Sequence, residues 1–309
     1  MTTTQPRPAV TAQDLGYDVR PLGGLIGAEI LGVDLSQPLD AQSVAAIRST
    51  LLEYKVIFFR DQDIMQKQHV AFGRYFGDVT PAHPTLPAVF KDFPEILLLD
   101  NQRYAPMGAA SVESRWHTDV TFVPNPPMGS ILRGLVVPPY GGDTQFTNLA
   151  VAYDRLSDPI KQLLDGLHAV HHNELPISRG EMSSELRNQF QSKPLRSVHP
   201  VIRVHPETGE RVLFVNPNFT SHIFELSRQE SRHLLAMLYE HLANATFTCR
   251  FRWQPGSIAF WDNRATAHLV PTDIPDGFHR SMQRITIAGD VPVGPDGSTS
   301  YALTGETFA

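Results

Sequence analysis

The apolar positions along this chain follow two periods, and each period predicts a different kind of element. After Asp40, after Asp63, across 151–166 and after Ser227, apolar residues recur three and four positions apart, which predicts amphipathic helices. Elsewhere they alternate with polar residues or form short unbroken runs, and both patterns are typical of strands. The predicted strands are residues 56–59, 96–99, 116–122, 130–137, 144–148, 201–205, 211–215, 247–253, 257–261 and 284–288.

The order of these elements favours one fold class. Strands dominate after residue 95, and 201–205 and 211–215 read as a hairpin across Glu207–Gly209. Many short strands joined by turns favour a mainly β protein with an antiparallel jelly roll, or double-stranded β-helix, at its core and flanking helices outside. Residues 1–16 carry no apolar period. We therefore expect a disordered arm over 1–16, followed by a single domain over 17–309.

The composition of the chain indicates its cellular compartment and excludes some classes of binding partner. The one cysteine, Cys249, excludes an internal disulfide and fits a reducing compartment. Residues 1–10 lack the apolar core of a signal peptide, and no apolar run reaches the ~18 residues that cross a bilayer. We therefore predict a soluble cytoplasmic protein without a membrane partner. The formal net charge of -6, with no cluster of Lys or Arg, argues against nucleic acid as a partner.

The segment Trp116–Phe122 carries the candidate chemistry. Residues two apart on a strand point to one face, so His117 and Asp119 present an imidazole nitrogen and a carboxylate oxygen side by side. His268, shortly after the predicted strand 257–261, is the best candidate for a third ligand. Two His and one carboxylate form the facial triad of non-haem Fe(II) oxygenases, with open positions on the metal opposite them. From spacing alone, a hydrogen-bonded His–Asp pair and a solvated strand edge also remain open interpretations.

Further motifs give the chain a family resemblance. From about Tyr17 to Val293 it resembles the taurine dioxygenase/TfdA family of Fe(II)- and 2-oxoglutarate-dependent dioxygenases. Each motif alone is weak, whereas their joint order and spacing are specific. The motifs are Trp116–Phe122, Gly141–Thr144, Val198–Pro200 with His205–Gly209, Trp261–Arg264 before His268, and Arg284–Asp290.

The resemblance implies a metal site and a cosubstrate site. It implies that His117, Asp119 and His268 hold Fe(II), and that 2-oxoglutarate chelates this iron through its 2-oxo acid end before O2 reacts. The far carboxylate of 2-oxoglutarate is then held by Arg280 and the hydroxyl of Thr144. This assignment suits the chemistry, because a guanidinium makes strong charge-assisted bonds to a carboxylate. The resemblance also implies a homo-oligomer, either a dimer or a tetramer.

Similarity to the sulfonate- and sulfate-processing branch of the family implies an anion site beside the metal. Arg284, four residues after Arg280, meets the substrate anion in this branch. His83, in a His-Pro turn, and the backbone N–H of Val120 assist it. Convergent donors of this kind suit a tetrahedral anion, so the predicted partner is a small anionic molecule.

Several pocket positions depart from the taurine pattern. Leu86 stands where taurine dioxygenase has a Tyr, and Ile177, in a Pro-Ile pair, stands where it has a Ser-Phe pair. The pocket phenylalanine is kept as Phe219. The loss of polar groups predicts a longer, more apolar substrate tail than that of taurine. Glu113 stands in place of an Asn, and it either points to solvent or receives a cationic group of the substrate.

The resemblance to this branch implies hydroxylation of the carbon next to a sulfonate or sulfate ester, which releases an aldehyde and sulfite or sulfate. An alkyl sulfatase or alkanesulfonate dioxygenase fits better than a strict taurine dioxygenase. The alternatives are a dioxygenase of the same family that acts on a carboxylate such as a phenoxyalkanoate, a hydrolytic zinc enzyme, and a non-catalytic metal-binding jelly roll. Residues 104–114 read as a loop over the substrate, and 173–198 as a lid or an insertion.

Overall fold

The computed structural model describes residues 11–104, 115–174, 188–190, 192–271 and 273–308. The principal helices are α1 (Ala41–Tyr54), α2 (Gln66–Arg74), α3 (Asn101–Tyr104), α4 (Leu149–Asp154), α5 (Asp158–Leu164) and α6 (Arg228–Leu242). The strands are β1 (Asp18–Pro21), β2 (Ala28–Leu31), β3 (Val56–Phe59), β4 (Leu97–Asp100), β5 (Gly129–Val136), β6 (Thr144–Asn148), β7 (His168–His172), β8 (Arg196–Pro200), β9 (Ile202–Val204), β10 (Arg211–Leu213), β11 (Thr220–Ile223), β12 (Thr248–Phe251), β13 (Ile258–Asp262), β14 (Thr266–Leu269), β15 (Ser281–Ile287) and β16 (Tyr301–Thr304).

Two sheets packed face to face form the jelly roll that the strand pattern predicted. The larger sheet has the order β1-β2-β3-β13-β5-β15-β4, and the smaller has the order β12-β6-β14. Strands far apart in sequence are neighbours, since Phe260 of β13 is opposite Ile57 of β3 on one side and Ile131 of β5 on the other. Strands β3 and β13 are buried along their whole length, which matches their unbroken apolar sequences. The mainly β fold class is therefore confirmed.

Aromatic side chains fill the space between the two sheets. Phe58 of β3 stacks on Phe251 of β12 with ring centroids 3.9 Å apart, and Phe146 of β6 meets Trp261 of β13 at 5.5 Å. All four rings are buried. Burial of one such side chain stabilises the fold by roughly 1.5–3 kcal/mol. The packing holds β6 and its neighbour β14 against the larger sheet, and β14 carries His268.

Helices α1 and α2 cover the other face of the larger sheet. Ile47 of α1 and Phe72 of α2 pack with Phe59 and Phe260 in one apolar cluster. The predicted cap of α1 is confirmed, because the Asp40 side chain accepts a hydrogen bond from the backbone N–H of Ser43 at 2.7 Å. This layer excludes water from that face of the larger sheet.

Two details of the helix prediction are wrong. Helix α2 begins after Met65 and not after Asp63, because the Gln68 side chain accepts from the Met65 backbone N–H at 2.6 Å and closes the first turn there. The helix predicted over 151–166 is two helices, α4 and α5. Pro159 has no N–H to bond the carbonyl of Arg155, so a continuous helix cannot form across this point.

A four-stranded sheet, β11-β7-β8-β16, forms a further layer with the β9–β10 hairpin and α6. The hairpin was predicted and is confirmed by the pairing of Val212 with Arg203. The capping box of α6 is also confirmed, since the Ser227 backbone N–H donates to Glu230 at 3.0 Å. At 15 residues α6 is the longest of the helices above, and within the described ranges no helix is both long and apolar enough to cross a membrane.

The described start of the chain is ordered. Residues 13–15 form a turn of 3₁₀ helix, and Ala12 is fully buried. The Ala12 carbonyl accepts from the Tyr17 backbone N–H at 3.0 Å, which ties this turn to the beginning of β1. The prediction of a disordered arm is therefore wrong for residues 11–16, and residues 1–10 lie outside the described ranges.

Candidate active site

The segment around His117 is a turn and not the strand that its sequence predicted. His117 forms a single β-bridge with His268 of β14, through His117 N–H to His268 O at 2.9 Å and His268 N–H to His117 O at 2.7 Å. The chain then leaves the sheet, and Val120 takes a left-handed conformation with φ of 56°. The alternation argument for His117 and Asp119 was therefore wrong, because Asp119 lies in the turn after the bridge.

The same turn nevertheless brings the three predicted metal ligands together. One potential ligand atom from each of His117, Asp119 and His268 lies within 4.8 Å of the others, and all three residues are buried. His117 Nδ1 donates to the backbone carbonyl of Arg115 at 2.8 Å, which leaves the lone pair of Nε2 for a metal. The set of two imidazoles and a carboxylate fits a non-haem Fe(II) ion.

The charges in this cluster favour the forms that bind metals. Burial, together with the neighbouring His117, holds the pKa of His268 well below its usual value, so its imidazole is neutral. Burial alone raises the pKa of Asp119, but the Arg284 guanidinium and the two imidazoles outweigh it and lower that pKa. The cluster therefore presents a carboxylate anion and a neutral imidazole. His268 Nδ1 is buried and has no hydrogen-bond partner among the described residues.

Arg284 lies against the Asp119 carboxylate. Its Nη1 donates to Asp119 Oδ1, while Ser130 Oγ donates to Asp119 Oδ2 at 2.6 Å. Arg284 is buried, and its Nε–H has no hydrogen-bond partner within the described part of the chain. Most buried donors in proteins have a partner, so this N–H is available to an acceptor that binds beside it. The structure thus places one unpartnered cationic donor beside the candidate metal centre.

Arg280 and Thr144, the predicted cosubstrate residues, both lie next to Gly142. Arg280 is buried and its Nε donates to the Gly142 carbonyl at 3.1 Å. Gly142 has φ of 68°, and a Cβ there would lie 3.0 Å from Arg280 Cδ, so the approach needs glycine. The Thr144 hydroxyl accepts from Trp253 Nε1 at 2.9 Å, which leaves its own proton free to donate to a carboxylate.

His83 presents a neutral imidazole with a defined tautomer. Its Nδ1 accepts from the backbone N–H groups of Thr85 at 3.1 Å and Leu86 at 3.2 Å, so the proton resides on Nε2. Burial, reinforced by the positive charge of Arg284, lowers the pKa of His83 to about 3. His83 can therefore donate one hydrogen bond to an anion and adds no charge of its own.

An apolar wall stands beside these polar groups. Predicted pocket residues Leu86 and Phe219 belong to it, and the Phe219 ring meets His117 edge-on at 6.0 Å. Phe190 also belongs to this wall and was not predicted from the sequence, and its ring lies 5.1 Å from that of His83. The apolar cluster comprises Leu86, Val120, Phe122, Val123, Phe190, Leu195, Phe219 and Phe308.

Thr121 ties the metal-binding turn to the neighbouring sheet. Its hydroxyl bonds to His171 Nδ1 at 2.9 Å and accepts from Asn216 Nδ2 at 3.2 Å, while its carbonyl accepts from His199 Nε2 at 2.7 Å. All four residues are buried. The neighbouring Val120 amide donates to no acceptor within the described residues. These contacts hold the left-handed turn, which for a β-branched residue costs on the order of 1–2 kcal/mol.

Two predicted substrate residues cannot be placed. Glu113 and Ile177 lie outside the described residues, as do most of the predicted loop 104–114 and residues 175–187 of the predicted lid. The described part of the lid is packed, since the Asn173 side chain donates to the carbonyls of Phe190 at 2.9 Å and Lys193 at 3.0 Å. The roles proposed for Glu113 and Ile177 stay predictions.

A jelly roll that carries two His and one carboxylate within reach of one ion defines the class of mononuclear non-haem metal oxygenases. Residues 18–286 match the family described as taurine catabolism dioxygenase TauD, TfdA family. The chain belongs to this dioxygenase family, as its sequence motifs predicted.

Similar proteins cover nearly the whole chain. It is 42% identical over 302 residues to an alpha-ketoglutarate-dependent sulfate ester dioxygenase from Pseudomonas putida, covering 94% of this chain and 96% of that one. It is 40% identical over 287 residues to an alkylsulfatase from Acinetobacter baylyi, covering 90% and 87%. A taurine dioxygenase structure from Burkholderia xenovorans superposes with a TM-score of 0.81 at 47% identity, covering 94% and 95%.

Proposed function

We propose that this protein is an Fe(II)- and 2-oxoglutarate-dependent dioxygenase that hydroxylates the carbon bearing a sulfate ester or sulfonate group. The product collapses to an aldehyde and sulfate or sulfite. The observation that carries the proposal is the buried Nε–H of Arg284, which has no partner among the described residues and belongs to a guanidinium that contacts the Asp119 carboxylate. An anion bound by this group has its neighbouring carbon beside the metal. The similarity to a sulfate ester dioxygenase and an alkylsulfatase supports the choice of anion.

His117, Asp119 and His268 would hold the iron, and Arg280 with Thr144 would hold the far carboxylate of 2-oxoglutarate. When bound, iron and 2-oxoglutarate together activate O2 for removal of a hydrogen from carbon, and the protein supplies position and polarity. Arg280 is buried beside the Gly142 carbonyl, and a buried guanidinium makes strong charge-assisted bonds to a carboxylate. The neutral form of His268 and the ionised form of Asp119 suit ligation without loss of a proton on binding.

Three donors would receive the substrate anion. Arg284 offers its Nε–H, His83 offers Nε2–H because Nδ1 is already an acceptor, and the Val120 amide is unpartnered within the described residues. A sulfate ester has three terminal oxygens and therefore matches this number of donors. The charge of the anion is balanced by Arg284, while neutral His83 adds directionality.

The apolar wall would take the substrate tail. Leu86, Phe122, Phe190 and Phe219 belong to one apolar cluster, which also includes Val120 and lies next to His83. Among the described residues this cluster offers no polar side chain to the ammonium group of taurine. Each methylene buried against this surface contributes about 0.8 kcal/mol. We therefore assign alkyl sulfates, and larger alkanesulfonates, as the preferred substrates, with taurine as a poor one.

A substrate panel tests the proposal. The protein is incubated with Fe(II) and 2-oxoglutarate in air with a medium-length alkyl sulfate, the matched alkanesulfonate, taurine or phenoxyacetate, and succinate, sulfate and sulfite are measured. We expect equal amounts of succinate and sulfate from the alkyl sulfate, and none of either without O2 or without 2-oxoglutarate. Sulfate release without O2 would indicate a hydrolase, and phenoxyacetate as the best substrate would indicate that the natural anion is a carboxylate.

A further inference from the structure

A series of buried hydrogen bonds leads from Trp261 to the metal-binding carboxylate. Trp261 Nε1 donates to Asn263 Oδ1 at 2.8 Å, and Asn263 Nδ2 donates to Ser130 Oγ at 2.8 Å. Ser130 Oγ then donates to Asp119 Oδ2 at 2.6 Å. The exposed fraction of each of these four residues is 2% or less, so bulk water does not compete for the bonds. We call this series the Trp261–Asp119 relay.

The direction of every bond in the relay is fixed by chemistry. An indole N–H can only donate, so the amide of Asn263 must turn its oxygen toward Trp261 and its NH2 toward Ser130. Ser130 Oγ therefore accepts from Asn263, and its own proton is left for Asp119. The ionised carboxylate of Asp119 can only accept, which closes the series without conflict.

We propose that Ser130, Asn263 and Trp261 are positioning residues that set the rotation of the Asp119 carboxylate for the metal. The terminal torsion of an Asp side chain is soft, so packing alone leaves the direction of its oxygens poorly defined. The bond from Ser130 holds Oδ2 while Arg284 contacts Oδ1, so the two donors together fix the rotation of the carboxylate. This inference rests on the proposed metal site and assigns a role to part of the Trp261–Arg264 motif.

The relay is built on interior strands of the larger sheet. Ser130 of β5 is directly opposite Trp261 of β13 on one side and Thr286 of β15 on the other. Asn263 follows β13 at once, and its backbone N–H donates to the Met128 carbonyl at 2.9 Å. These strand pairings hold the donor groups in place before a metal arrives.

Trp261 also supports a second ligand. Its indole ring packs against the imidazole of His268 with centroids 4.8 Å apart, while its N–H begins the relay to Asp119. One side chain therefore orients two of the three metal-binding residues by different means. Asp262, between Trp261 and Asn263, takes no part, since it pairs with Arg264 and His205.

Metal affinity measured without turnover tests the relay. The full-length chain is freed of metal, and the Kd for Mn(II) is measured for the wild type, Ser130→Ala, Asn263→Ala and the double variant. Loss of a residue that orients a metal ligand typically weakens affinity about 10–100-fold, and we expect a rise of that size for Ser130→Ala. Asn263→Ala should have a smaller effect in the wild type and none in the Ser130→Ala background, because it acts through Ser130.

A matched control separates positioning from stability. Ser231 of α6 is also buried, and its hydroxyl accepts a hydrogen bond from the Ile223 backbone N–H at 2.8 Å. Ser231→Ala removes this hydroxyl and should leave the Mn(II) Kd unchanged. A wild-type Kd for Ser130→Ala, or additive effects in the double variant, would overturn the relay. If Ser130→Ala does not fold, Trp261→Phe removes the indole N–H while keeping a smaller aromatic ring beside His268, and an unchanged Kd in that variant would overturn the relay equally. Failure of the wild type to bind Mn(II) would instead remove the metal site itself.

Discussion

At the scale of single residues, Arg284 carries the most chemistry. Its guanidinium contacts Asp119 through Nη1 and has a buried Nε–H without a partner in the described ranges. A guanidinium has five N–H donors in a rigid fork, so it can hold the metal-binding carboxylate and a substrate oxygen at the same time. Under the proposed function, Arg284 would link the charge of the substrate to the position of the metal.

Arg284→Lys should separate this role from that of Arg280. Lysine keeps the charge but loses the fork, and a lost hydrogen bond to a charged group is worth about 1.5–3 kcal/mol. We expect the KM for an alkyl sulfate to rise about 10–100-fold, while the KM for 2-oxoglutarate changes little. Arg280→Lys serves as the matched control and should give the opposite pattern. Steady-state kinetics with each substrate varied in turn decides, and a larger effect of Arg284→Lys on 2-oxoglutarate would mean that the two assignments are exchanged.

Phe190→Ala should change the choice of substrate tail. Phe190 packs on His83 and Phe122 at the apolar wall, so its removal opens space where a tail would lie. We expect kcat/KM to rise for long relative to short alkyl sulfates, by about fourfold for each extra methylene that becomes buried. Phe224, which is 56% exposed, gives the control Phe224→Ala, for which the ratio should stay at the wild-type value. An unchanged ratio for Phe190→Ala would place the tail elsewhere.

The sequence identified the polar residues of the site better than its walls. His117, Asp119, His268 and Arg284 stand in motifs whose spacing carries information, and the structure places them together. Phe190 escaped notice because it lies at the end of a polar segment without a period. Only the tertiary contact with His83 shows that this ring lies beside the candidate site.

At the scale of elements, the turn after His117 decides the geometry. Its alternating sequence predicts a strand, yet only one bridge pair forms before Val120 turns left-handed. Contacts with Thr121 from other parts of the fold outweigh the local preference, which sequence patterns cannot show. The capping signals at Asp40 and Ser227 were reliable because their hydrogen bonds are local.

Thr121→Val should loosen this turn. The substitution removes the hydroxyl that is hydrogen-bonded to His171 and Asn216, so both buried side chains lose that hydrogen bond. This loss should lower the free energy of unfolding by about 1–3 kcal/mol. We expect the KM for an alkyl sulfate to rise about tenfold, because a misplaced Val120 amide loses one hydrogen bond of about 1.5 kcal/mol to the anion. The KM for 2-oxoglutarate should stay near the wild-type value, and Thr121→Ser should restore the KM for the alkyl sulfate. Equal rises in the two constants would argue against a specific role for the turn.

At the scale of the whole molecule, local patterns predicted strands but not their partners. The neighbours of β13 in the sheet are β3 and β5, which are distant in sequence, and no pattern within β13 specifies them. The jelly roll could be predicted because many short strands favour it and because the motifs resemble a known family. The single domain, the cytoplasmic location and the homo-oligomer stay predictions.

Buried histidines should make the fold sensitive to acid. His69 of α2 is fully buried, and its Nε2 donates to the Ile131 carbonyl at 3.1 Å. Burial, and to a smaller extent the positive charge of Arg133, lowers the pKa of His69 to about 4. Between pH 6.5 and 4 the unfolded state binds a proton that the folded state does not, so stability falls as pH falls. This one residue accounts for about 1.4 kcal/mol per pH unit, or about 3 kcal/mol in total.

Urea denaturation at a series of pH values measures this effect. His69→Gln keeps a donor for the Ile131 carbonyl but does not titrate, so its free energy of unfolding should fall less steeply below pH 6.5. His233→Gln replaces an exposed histidine of α6 and should keep the wild-type slope. Identical slopes for the wild type and His69→Gln would show that His69 is not held neutral by burial.

The most direct test of the account is the binding of Fe(II) and 2-oxoglutarate without O2. Anaerobic equilibrium dialysis measures both ligands on the wild type, on His268→Ala and on His222→Ala, an exposed histidine outside the site. We predict one Fe(II) per chain, tight binding of 2-oxoglutarate only when iron is present, and loss of both in His268→Ala alone. Iron bound by His268→Ala with wild-type affinity, or 2-oxoglutarate bound equally well without metal, would contradict the account.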